Sequence, residues 1–147
     1  MYSPQTVGYA QRVGIVVRAA ADGIGIIGTG EGVVTGQDLL AATAQLIAEG
    51  QRNSELRYAV MDLSAIPEQE LDTRSLKAAA VRPRSPMPEL IVAVVAPSEI
   101  LFGLSRMWEM LAEQSGLATR VVRTREEAIT FLQEQLTQPV HPFEPID

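Results

Sequence analysis

Five residues of this chain carry chemically useful side chains where strands give way to helices: Asp62, Ser64, Asp72, Thr73 and Ser98. Carboxylates and hydroxyls at the carboxyl ends of parallel strands can hydrogen-bond a ligand, and adjacent helix starts offer backbone amides to an anion. The same residue types cap helices and close turns. Capping and turn chemistry explains them first, a partner or ligand surface second, and acid–base or nucleophilic catalysis last. Catalysis lacks a convincing base. His141 is the only imidazole, and it lies among Pro139, Pro142 and Pro145, so no serine triad can be assembled around it. The absence of Cys removes thiolates, disulfides and cysteine-ligated metals, and a single His cannot make a His-rich centre. Neither a metal site nor a cofactor is expected, and the chain reads as a non-enzyme.

Two other patterns invite a ligand. Gly23, Gly25 and Gly28 satisfy G-x-G-x-x-G, but a dinucleotide site needs those glycines to follow a strand and open a helix. Helical spacing begins only near Gly36, so a glycine-rich hairpin and turn is expected instead. Arg74, Lys77, Arg82 and Arg84 form a basic interval without an acid, able to meet a phosphate, an acidic partner or a lipid headgroup. Simple solvation of a short helix and loop is the preferred account of it. The cluster has no aromatic platform and the chain carries a net charge of -6, which together argue against general nucleic-acid binding.

The elements that must position these residues follow from patterning. A chain of 147 residues, 46% of them hydrophobic, fits one domain with a sizeable core. No apolar run is long enough to cross a membrane and no signal-peptide pattern opens the chain, so a cytoplasmic protein is expected. Residues 12–21 and 23–29 read as strands joined through an Asp22-Gly23 turn. Thr35 and Asp38 form an approximate capping box for a helix that Gly50 ends. Strands follow over 57–66 and, most clearly buried, 90–96. Between them a short helix is expected over 73–81, before a loop with Pro83, Pro86 and Pro88. Ser98 can cap a long helix over 99–114. A short strand over 118–122 leads to a second capping box, Thr124 with Glu127, and a helix with Ile129, Leu132 and Leu136 inward.

The expected order is ββαβαβαβα: a mixed five-stranded α/β sheet with an initial antiparallel hairpin and four principal helices. Val60, Val92, Val94 and Leu111 should be buried. Residues 1–11 form an N-terminal extension, 12–138 the domain and 139–147 an extended, proline-rich tail. In the long helix, Glu99, Arg106, Glu109 and Glu113 mark a polar side. Phe102, Leu104, Met107, Trp108, Met110 and Leu111 spread apolar character over a broad arc. That arc suggests a homodimer with Met107 and Trp108 as contacts, or one using an exposed sheet edge. Gly103 would then allow close packing.

The order of elements, joined to VMDLSAI, IVAVVAPSEILFGLSRMWEML and VVRTREEAITFL, resembles bacterial STAS-like proteins of the SpoIIAA-like superfamily, particularly the STAS/SEC14-like group. The similarity covers about residues 12–136. Its most distinctive piece is AP-x-x-x-x-FG-x-x-RMWE over 96–109. The resemblance implies a mixed sheet flanked by helices and, in regulatory members, recognition of a protein partner. Some relatives bind nucleotides or lipids, so a small lipid or other hydrophobic ligand is an alternative. Anti-sigma-factor antagonists of the superfamily carry a phosphorylatable D-[ST]-[ST]-G-like turn. Asp72 and Thr73 resemble its first two positions, which puts Thr73 at the phosphoacceptor place; Arg74 and Ser75 depart from the third and fourth.

Overall fold

The computed structural model describes residues 14–67, 74–75, 78, 90–114 and 118–144, with the backbone alone at 111–114. Strands β1 (Gly14–Ala19) and β2 (Gly25–Glu31) pair antiparallel. The turn between them is built by Asp22 and Gly23. Gly23 has φ of 78°, a left-handed conformation that glycine adopts without strain, and Asp22 Oδ1 accepts the Ile24 N–H at 3.1 Å. Gly25 serves close approach, since a Cβ there would overlap the Tyr58 ring on the neighbouring strand. The glycines thus shape a hairpin and its packing.

Helix α1 (Gly36–Arg52) begins with the expected capping box: the Asp38 N–H donates to Thr35 Oγ1 at 3.1 Å and the Thr35 N–H to Asp38 Oδ2 at 2.8 Å. It runs past Gly50, where a stop was expected, and is capped at Asn53. Strands β3 (Tyr58–Ala65), β4 (Ile91–Val95) and β5 (Thr119–Val122) follow, with α2 (Glu99–Gln114) between the last two and α3 (Arg125–Leu136) after them. The Thr124–Glu127 box starts α3 as expected. The sheet order is β1-β2-β3-β4-β5, with β2 to β5 all parallel.

Three helices are present among the described residues, in the order ββαββαβα, where four helices and ββαβαβαβα were expected. The difference is the segment 73–81, which falls mostly outside the described residues; within it Arg74, Ser75 and Ala78 have helical backbone. No described helix is long and apolar enough to cross a membrane.

Strand order dictates how the sheet is covered. Each crossover from β2 to β5 steps to the next strand in the same direction, and a common right-handed sense puts the connecting helices on one face. Residues of α1 and α2, including Ala42, Leu46 and Leu101, accordingly share a core with Ile26, Ala59, Met61, Val92, Val94 and Val121. On the opposite face Ala128, Phe131, Leu132 and Leu136 of α3 meet Ile27, Tyr58, Val60, Ala93, Val95 and Val122. Burial of Val60, Val92 and Val94 is as expected; the Leu111 side chain lies outside those described. The described part of the tail joins the second core. Val140 and Pro142 are buried, the His141 N–H donates to Asp22 Oδ2 at 2.8 Å, and the buried Tyr58 hydroxyl donates to the same oxygen at 2.7 Å.

The long helix corrects the sequence reading. Its buried described positions are Leu101, Ser105 and Glu109, spaced four apart, so Glu109 faces inward and not into water. Phe102, Leu104, Met107 and Trp108 are half-buried, and Met110 is 59% exposed. Gly103 has open space where a Cβ would stand, so close packing is not its role.

Candidate functional site

Asp62 is the best-organised polar residue of the sequence-derived set. Side chains alternate along β3, which puts Asp62 with Tyr58 and Val60 on the α3 face, near the strand's carboxyl end. It is 1% exposed. A carboxylate so buried needs partners, and both oxygens have them. Oδ1 accepts the Ser64 hydroxyl at 2.6 Å and the Ser64 N–H at 3.1 Å. Oδ2 accepts Arg125 Nε at 3.0 Å and pairs with Nη2 at 2.9 Å. The Arg125 guanidinium lies over the Phe143 ring, 5.0 Å from its centroid, so one residue each from β3, α3 and the tail form a stack. Arg125 and Phe143 were absent from the sequence-derived set. Their separation from Asp62 along the chain hid the pairing, which only the return of α3 over the sheet creates.

The remaining candidates separate. Ser98 caps α2, its Oγ accepting the Leu101 N–H at 3.1 Å, so its hydroxyl is committed to the helix. Asp72, Thr73, Lys77, Arg82 and Arg84 lie outside the described residues. Arg74 is exposed. Ser75 Oγ accepts the Gly36 N–H at 2.8 Å and so supports the start of α1. Of the proposed dimer contacts, Trp108 packs against the α1 and α2 core and Met107 is half-buried. His141 is exposed and its Nδ1 meets Glu144.

Two recesses flank the α3 face. One, of about 290 Å³, lies over the hairpin strands and is lined by Val16, Arg18, Thr29 and Glu31, with Asp62, Arg125 and Phe143 along its inner side. The other, of about 500 Å³, lies beside β5. There Arg120 stacks on Phe131 and Arg123 on Phe102, at 4.9 and 4.1 Å from the ring centroids. Both recesses mix arginine with glutamate. Among the described residues, no group of three or more His, Asp or Glu is placed to hold a metal ion.

Two outward amides of the β5 edge are occupied by carboxylates. Ala118 and Val122 carbonyls accept from β4, so the N–H groups of the odd-numbered residues Val121 and Arg123 point outward. Glu109 Oε2 accepts the Val121 N–H at 3.0 Å, while Glu109 Oε1 pairs with Arg106 at 2.9 Å. Glu127 Oε1 accepts the Arg123 N–H at 3.1 Å. Two carboxylates thereby occupy amides that could otherwise template another strand. Compared with models of protein families, with curated proteins and with solved structures, the chain matches none.

Proposed function

We propose that the chain is a noncatalytic regulatory or adaptor module, STAS-like in kind, that recognises a protein partner. The observation supporting this reading most directly is how the candidate chemical groups are engaged. Asp62 bridges Ser64 and Arg125, and Ser98 caps a helix. The carboxylate beside the Ser64 hydroxyl is committed to an ion pair with Arg125, and the Ser98 hydroxyl to a helix start, so both arrangements are accounted for by structure. The hairpin side of the sheet instead presents apolar and charged side chains around an open recess, which suits a contact surface. A lipid carrier would need an apolar enclosure, whereas the two recesses formed by described residues have charged rims that suit a protein contact. Thr73 remains the position at which a phosphate would alter recognition, on the strength of its resemblance to the family switch.

Capture of the tagged full chain from native extract, followed by cross-linking and mass spectrometry of both protein and lipid, tests the proposal. A protein recovered in stoichiometric amount and cross-linked to the α3 face is the expected result. Recovery of lipid without protein would overturn it.

A further inference from the structure

The α3 face is only partly roofed. Helix α3 packs on β3, β4 and β5, and the tail covers the end of the hairpin near Asp22 and Tyr58. Among the described residues, that leaves the outer part of β1 and β2 bare. Val16 points out of this face and is 50% exposed, among the most exposed large apolar residues described. Cross-strand pairing places Val16 against Thr29, Arg18 against Ile27, and Gly14 against Glu31. The bare strip therefore has an apolar centre, a cation towards one end and a carboxylate at the other. Neither Arg18 nor Glu31 has an ion-pair partner among the described residues, whereas Arg125, farther in, is neutralised by Asp62.

The strip's dimensions select an occupant. Two strands at about 4.8 Å spacing are about 10 Å wide, close to the diameter of one helix with its side chains. Four strand positions separate Ile27, opposite Arg18, from Glu31, which is about 13 Å along the strand. A helix covers that span in about nine residues at about 1.5 Å each, and positions seven or eight apart share one face and bring side chains within reach of both ends.

We propose that this strip seats an amphipathic helix of a partner protein. The helix would set an apolar residue on Val16, a Glu or Asp against Arg18, and a Lys or Arg against Glu31, the acid and base lying seven or eight positions apart. It would lie beside α3 and complete the second layer of the sheet. The inference rests on the protein-recognition reading above and adds the surface and the chemistry of the partner.

Synthetic helical peptides with a common leucine face test it against the isotopically labelled full chain. They carry, seven positions apart, Glu with Lys, Glu with Glu, or Lys with Lys. The mixed peptide should bind about threefold to tenfold tighter than the others, the effect of one surface ion pair gained and one repulsion avoided. Amide shifts should centre on Val16 and Thr29. Arg18→Glu makes both ends of the strip acidic and should transfer the preference to the Lys–Lys peptide, with the circular dichroism spectrum unchanged to show that the fold survives. Equal binding of all three peptides, or shifts centred elsewhere, would overturn the proposal. So would a dimer that buries the strip, because a second copy would then be the occupant. A native partner cross-linked away from Val16 sinks this surface while leaving the adaptor reading intact; recovery of lipid without protein sinks the adaptor reading itself.

Discussion

The crossover face of the sheet carries α1 and α2, whereas the other face carries α3 and a short stretch of tail. The imbalance comes from topology: stepping β2-β3 and β4-β5 in one direction sends the crossover helices α1 and α2 to one side. Polar groups are handled differently on the two faces. On the crossover face Glu109 reaches round to hold an outward amide of β5. On the other, carboxylates act as hubs that tie distant segments together, Asp22 joining β3 to the tail and Asp62 joining β3 to α3. A face closed by covalent crossovers needs few such ties. A face closed by chain ends depends on them, and its uncovered part is where the proposed partner helix would add a layer.

If α3 carries most of the closure of its face, truncating it should give the largest effect. Leu132 has no exposed surface and sits in the second core. Leu132→Ala should destabilise the fold by about 2–5 kcal/mol, the lost transfer energy plus a cavity, measured by urea unfolding. A loss below about 1 kcal/mol would mean that α3 is dispensable to that face. Glu109 supplies the matching test on the crossover face. Glu109→Ala leaves the Val121 amide without its acceptor and should cost about 1–3 kcal/mol. The freed edge should also show as concentration-dependent association in light scattering. Unchanged stability and a monomeric variant would show that the edge needs no such closure.

These two residues also mark what the sequence made legible. Leu132 was readable because helical spacing placed it inward and a capping box, Thr124 with Glu127, set the start of its helix. Local signals of that kind located the hairpin, the strands and the described helices. Glu109 was misplaced because residue type outweighed register. The line Leu101–Ser105–Glu109 keeps a four-residue spacing, but two of its members are polar, so residue type points to the apolar arc beside it. The candidate site was legible only in part for a related reason. Asp62 stood out by type and position, but its partner Arg125 is 63 residues away and Phe143 farther still. Tertiary closure decides those contacts, and neither periodicity nor capping encodes it. The same applies to the tail, where Val140 and Pro142 among other prolines gave no pattern that foretold burial.

The tail-covered face should also answer to alkaline pH. Burial first, then the hydrogen bond to Asp22 and that residue's charge, push the Tyr58 phenol well above its ordinary value of 10.0. The proton is thus held in the fold and released on unfolding above about pH 10. Stability is fully present below that pH and falls as pH rises beyond it, by about 1.4 kcal/mol per unit for this group. Tyr58→Phe should cost about 1 kcal/mol at neutral pH and remove that share of the alkaline slope. Urea midpoints of both proteins between pH 9 and 11, compared as a difference to cancel other titrations, give the measurement. Parallel slopes would place the phenol in contact with water and detach the tail from this face.

The smallest effect should come from the bare strip, and its smallness is the test. Val16 and Ile27 point to the same face from neighbouring strands, yet Val16 is 50% exposed and Ile27 not at all. Val16→Thr keeps a β-branched residue suited to a strand and exchanges a half-wet methyl for a hydroxyl that water can solvate. It should shift stability by no more than about 0.5 kcal/mol. Ile27→Thr puts a hydroxyl into the second core and removes apolar volume, and should cost about 2–4 kcal/mol. Urea unfolding at low protein concentration compares the two directly. If Val16→Thr cost as much as Ile27→Thr, Val16 would have to be covered in solution. Repetition across a dilution series would then identify the cover: a concentration-dependent penalty means a second copy, and a constant one means the chain itself. Either result would close the strip to a partner helix, whereas a near-zero penalty at every concentration leaves it open for one.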